Sequence, residues 1–181
     1  MAAEYLQNNT EIKPVVRYIL NSAWFSHPDR YFARYSWPAE FVARSIREVG
    51  WLGLSVDSAR TPMTNMGQTL FEPPDVAGWE LGPGWFTTGA MLARMNFAST
   101  LAANQRFNLA QAATSYRSSP ESLLEFFLDR LSPFPYEYVL RNEFLTYLRA
   151  GGAWTGSTAQ INAKAAGLAK LIVGSSEYQF I

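Results

Sequence analysis

The chain has 181 residues, 48% of them hydrophobic, with fifteen basic and fifteen acidic side chains and a formal net charge of zero. That length suits one domain with a core of its own and is short for two, while the lack of a basic excess argues against a nucleic-acid partner. With no cysteine and a single histidine, disulfides, thiolate chemistry and the usual zinc sites are excluded, and every apolar run is broken before the roughly 18 residues that a bilayer crossing needs.

Met1-Ala2-Ala3-Glu4-Tyr5 lacks the basic and apolar regions of a signal peptide, so none is expected in the chain as it stands. Ile12 to Asn21 carries Val15, Val16, Ile19 and Leu20 at helical spacing and predicts a buried helix, with Pro14 tolerated near its first turn. Ser26-His27-Pro28-Asp29 reads as a cap and first turn leading into a short aromatic helix through Tyr31 and Phe32. Ser36, Pro38 and Glu40 mark the next start, with Phe41, Val42, Ile46 and Val49 inward, Arg44, Arg47 and Glu48 facing away, and Gly50 as the stop. Thr61-Pro62 opens a short helix whose Met63 and Met66 face inward and which Gly67 closes.

From Glu72 to Trp85 the chain is punctuated by Pro73, Pro74, Gly78, Gly82, Pro83 and Gly84, too many breakers for a periodic element. An ordered loop is expected there, packed on the following helix through Val76, Trp79 and Trp85, with Asp75 accepting backbone N–H bonds and Trp79 as its anchor. Thr87 or Thr88 caps that helix, in which Met91, Met95, Ala98 and Ala102 form the predicted inner stripe, widened by Leu92 and Leu101 and ending at Asn104.

Ser118 with Glu121 has capping-box spacing, and Ser119 with Pro120 is the competing frame. Leu123, Leu124, Phe127, Leu128 and Leu131 form the face that follows, Pro133 and Pro135 break it, and Val139, Leu140, Phe144, Tyr147 and Leu148 continue to Gly151-Gly152. These two segments predict an antiparallel helical hairpin. Ser157 to Gln160 is a second capping-box pattern before Ile161, Ala165, Leu168, Leu171 and Ile172, with Gly174 as the stop. The expectation is an all-α, irregular domain spanning 1–181, of six or seven principal helices around an ordered Pro/Gly/Trp-rich loop.

Several of these segments share a family resemblance. Val15 to Phe25 resembles a helix ending in a Ser-x-x-Phe element, Arg34 to Val42 a Pro-x-Glu-Phe helix start, Gly67 to Phe97 a central signature, and Leu168 to Gln179 a Leu-rich helix with a Glu-Tyr/Phe-Gln finish. All four are similar to the bacterial family called domain of unknown function 1800. The resemblance supplies no reaction. It implies an exported, periplasmic or extracellular protein of which this chain is the C-terminal portion, and a protein partner or the missing N-terminal half to pack against. It also implies an association with a second uncharacterised exported family, domain of unknown function 1501.

The residues themselves name no catalytic group, metal or cofactor. Asp75, Glu72 and Glu80 lie close in sequence without EF-hand spacing, and Asp75 after two prolines reads better as a turn acceptor. His27 has no paired serine or aspartate and is expected to be structural, there is no Gly-x-Ser-x-Gly elbow, and Gly82-Pro83-Gly84 lacks the Lys-Ser/Thr of a phosphate loop. Trp24, Trp37 and Trp51, near helix ends, are expected to be structural. The primary expectation is a non-catalytic structural or interaction module. The alternative is a glycan-binding or polysaccharide-acting module in which Glu72, Asp75, Trp79 and Trp85 line a groove and the indoles stack on a sugar.

Overall fold

The computed structural model describes residues 1–50, 55–103, 109–131 and 137–181. Trp51, the stop expected at Asn104 and the break expected at Pro133 and Pro135 lie outside the described residues. The all-α reading holds: among the described residues there are helices, short 3-10 turns and two isolated bridges, and no strand. Contacts divide the chain into two units, Met1–Arg34 with Ile181, and Tyr35–Phe180.

In the first unit α1 (Ala2–Gln7) packs on α2 (Ile12–Leu20). The helix expected through Val15 and Ile19 forms, but it is not buried, and no residue from 1 to 34 is. An amphipathic stripe is covered only when a second layer lies over it, and α1, at six residues, is too short to supply one. His27 is structural, its ring Nδ1 accepting the Asp29 N–H at 3.3 Å ahead of the 3-10 turn Pro28–Arg30. The expected aromatic helix does not continue that turn, because Phe32 adopts a left-handed φ of 54° that a helix excludes. Trp24 is exposed, with the Arg30 guanidinium 4.4 Å from its ring centre.

The second unit contains the core. Its helices are α3 (Pro38–Val49), α4 (Val56–Asn65), α5 (Thr88–Ala103), α6 (Leu109–Ala112), α7 (Pro120–Leu131), α8 (Tyr138–Arg149) and α9 (Thr158–Val173). α9 is central, touching α5, α6, α7 and α8, while α3 packs on α4, α5 and α7. Leu168, Ile172 and Ala165 of α9 are fully buried, together with Phe41, Val42, Leu123 and Phe127 from the surrounding helices. Gly167 allows one close approach: a Cβ there would meet the Tyr147 hydroxyl at 1.9 Å, so only glycine lets that ring lie on α9.

Local chemistry explains the boundaries. Glu40 starts α3 by accepting the Trp37 N–H at 2.8 Å, Thr87 rather than Thr88 caps α5 by accepting from Ala90 at 3.2 Å, and Ser119 caps α7 by accepting from Ser122 at 3.1 Å. The Ser119-Pro120 frame therefore wins over Ser118. α4 begins earlier than Thr61-Pro62 predicts, because Ser55 caps it by accepting from Ser58 at 3.2 Å and the helix runs through Pro62. Met63 and Met66 face inward as expected, and Gly67 closes the turn at φ +97°. Ion pairs link Glu121 to Arg149 and Glu125 to Arg141. The start of α7 thus meets the end of α8, the antiparallel arrangement that the sequence predicts.

The sequence reading of α5 needs correction. Ala98, Leu101 and Ala102 face the core as expected, but Met95 and Leu92 are exposed and Met91 is only half-buried, while Ala90, Arg94 and Phe97 are buried instead. Apolar residues surround this helix on every side, so periodicity cannot choose a face. Val139 and Leu171 are also exposed rather than inside.

Candidate functional site

The loop that carries the four candidate binding residues is built on a turn. Asp75 Oδ1 accepts the Ala77 N–H at 2.7 Å and its carbonyl accepts the Gly78 N–H at 3.2 Å, with Gly78 at φ +97°, a conformation open to glycine at no cost. This Asx turn sets Val76 at the tip, fully exposed, so it does not pack on the following helix as expected. Trp85 is the anchor. It is 4% exposed, its ring centre lies 6.3 Å from that of Trp37, and a Cβ on Gly67 would rest 3.8 Å from its indole.

Trp79 is half-buried, and Glu72 and Asp75 are exposed. No hydrogen bond, ion pair or ring contact joins any two of Glu72, Asp75, Trp79 and Trp85, and none of them lines the groove between α4 and α5, whose walls are Ser58, Thr61, Asn65, Leu92, Asn96 and Thr100 among others. Because the Asp75 side chain bonds an exposed N–H that water can satisfy, Asp75→Ala is expected to cost less than about 1 kcal/mol in denaturant unfolding, well below what a buried turn acceptor would lose.

Sequence reasoning misses a second constellation, a buried polar centre. Arg94 of α5 is 1% exposed, and its guanidinium donates to Ser36 O at 2.8 Å, Gln179 Oε1 at 3.0 Å and Ser36 Oγ at 3.4 Å. Phe86 and Phe41 lie 4.5 and 4.9 Å from it as cation–π partners. No acidic side chain among the described residues pairs with it. Burial pushes its guanidinium down to about 10, which still leaves it cationic at neutral pH.

The same centre ties the segment around Gln179 to the start of the unit. Ser36 donates from its N–H at 2.8 Å and its hydroxyl at 2.9 Å to Gln179 O, and Gln179 Nε2 donates to Ser175 O at 2.8 Å. Arg44 and Glu48, expected to face away, belong here too. Arg44 donates to Phe180 O at 2.9 Å and Leu131 O at 3.3 Å, and Glu48 accepts the Tyr178 hydroxyl at 2.5 Å. The missed signal is chemical: an Arg, a Ser or a Gln among apolar neighbours scores as a surface residue unless its partners are known.

Burial and the Glu48 carboxylate hold the Tyr178 phenol well above its ordinary value. Its folded value is raised, so its contribution to stability is fully present below the unfolded phenol's value of about 10 and is lost as pH rises through the higher folded one. Denaturant midpoints taken across that range for wild type and Tyr178→Phe should show this alkaline loss in the first and not in the second. Equal slopes would mean the phenol ionises freely.

These groups bond one another within the second unit. Among the described residues no three His, Asp or Glu side chains form a metal-binding group, and no helix is long and apolar enough to cross a membrane. The family model described as protein of unknown function (DUF1800) matches residues 1–180. No curated protein and no solved structure matches the chain.

Proposed function

Since the chain belongs to the DUF1800 family, whose function is unknown, we propose that it serves as a non-catalytic structural or protein-interaction module of an exported bacterial protein, working in the periplasm or outside the cell. One observation carries this reading: the unit Met1–Arg34 buries none of its residues, yet displays Leu6, Ile12, Tyr18, Leu20, Trp24 and Phe25 to solvent. Exposed apolar side chains at that density mark a surface meant to be covered, and so short a unit does not sustain a fold on its own core.

The polar centre supports the same reading, because its groups bond one another within the protein, the buried Arg94 Nε alone among them lacking a hydrogen-bond partner. Purification of the native protein under mild conditions should return a stoichiometric protein partner, and fractionation should place it outside the cytoplasm. A lone chain with no partner under any condition would count against the module.

The glycan reading loses Trp85, whose buried indole has no face to offer, and rests on Trp79 with the exposed Glu72 and Asp75. Screening against oligosaccharides with Trp79→Ala as control decides it. Binding by wild type that the variant loses while keeping its helicity would replace the module reading with this one.

A further inference from the structure

We propose that the chain associates with a second copy of itself head to tail, the loop from Thr69 to Leu81 of one copy seating on α2 of the next. This rests on the interaction-module reading and names its partner. The loop side is an apolar finger with acidic flanks: Phe71 is 93% exposed and Leu81 70%, Val76 is fully exposed at the tip, and Glu72, Asp75 and Glu80 are exposed beside them. No lysine or arginine lies between Gly67 and Trp85.

The finger is held in shape before any partner arrives. Pro73 and Pro74 restrict its backbone, the Asp75 turn closes its tip, Glu72 N–H donates to Thr69 O at 3.1 Å, and the buried Met66, Gln68 and Trp85 fix its base. Phe71 holds a left-handed φ of 66°, a conformation costly to a bulky residue, and within its own chain it gains no burial in return. A preformed surface loses little freedom on binding.

The complement lies on α2. Ile12, Val16 and Leu20 recur every four residues on one exposed face, and Lys13 and Arg17, also four apart, flank them along the same shallow groove. Apolar meets apolar and acid meets base. An anionic membrane or a nucleic acid would repel the acidic finger, and a partner suited to both surfaces is present on every copy. Because the two patches differ, the contact is heterologous: an open assembly keeps a free finger at one end and a free groove at the other and so propagates, unless the rotation closes it into a ring that pairs them all.

The test is sedimentation of the full chain over a range of concentrations at low and high salt, with circular dichroism to confirm that each variant is folded. Wild type should form larger species that salt weakens. Lys13→Glu with Arg17→Glu, and separately Glu72→Lys with Glu80→Lys, should each weaken association at least about tenfold. Mixing the two variants should restore it, since the first keeps an intact finger and the second an intact groove. A wild type that stays monomeric, or a mixture that does not recover, overturns the proposal. A monomer that still copurifies with a different protein overturns self-association alone and leaves the module standing, whereas a monomer with no partner at all overturns both.

Discussion

Replacing Arg94 by methionine is expected to destabilise the second unit by about 3–5 kcal/mol, measured as a fall in denaturant midpoint at unchanged slope. Two effects oppose each other. Losing a buried cation relieves its desolvation, but Ser36 O and Gln179 Oε1 then stay buried without the donors now at 2.8 and 3.0 Å, and each orphaned acceptor costs about 1–3 kcal/mol. The flat guanidinium also fills the space between Phe41 and Phe86. Arg94→Lys should recover only part of the loss, because a compact ammonium cannot bridge both acceptors and stack.

Proton linkage at Arg94 has the opposite sign to that at Tyr178. Its folded value of about 10 lies below that of a free guanidinium, so the unfolded chain binds more protons between the two and this group's contribution improves as pH rises. A methionine variant within about 1 kcal/mol of wild type would mean that Ser36 and Gln179 find other donors.

Truncating Phe127 to alanine should cost about 3–5 kcal/mol, and Phe144→Ala a similar amount, as large-to-small changes in a packed core. Phe127 is fully buried on α7, with Phe126 edge-on at 5.5 Å between ring centres, among the residues that α9 covers. Phe126→Ala is a useful control. That ring is only partly buried and stacks on Tyr116 at 4.6 Å, so its removal should cost distinctly less. If Phe127→Ala fell below about 1 kcal/mol, the inner face of the hairpin would have to meet solvent.

Where residue type and spacing agree, the sequence is a sufficient guide. α7 presents a leucine-rich side and α9 an aliphatic one, each with polar residues opposite, and the helices and, apart from Leu171, the buried faces predicted for them follow from that contrast. α5 defeats the same reasoning because its sides are nearly equal in apolar character. What decides its orientation is the acceptor pair at Ser36 and Gln179, far away along the chain. α2 fails differently: its pattern is right and its helix forms, but burial is a property of a neighbour that spacing cannot see. In the loop, the Asx turn at Asp75 is legible because Pro-Pro-Asp restricts the backbone locally, whereas the choice of Trp85 over Trp79 as anchor depends on Trp37 and Gly67, which lie outside the loop.

The bond between Ser36 and Gln179 spans 143 residues, and that between Arg94 and Gln179 spans 85. On the ribosome, therefore, the helix bearing Arg94 emerges with its guanidinium lacking a main acceptor, and it stays so until nearly the whole unit has been synthesised. Contacts of such long range carry a large loop-closure cost and form late. The interior of the second unit is sealed only after synthesis has passed Gln179, and until then Phe41, Phe86 and the apolar side of α5 are open to chaperones or to wrong neighbours.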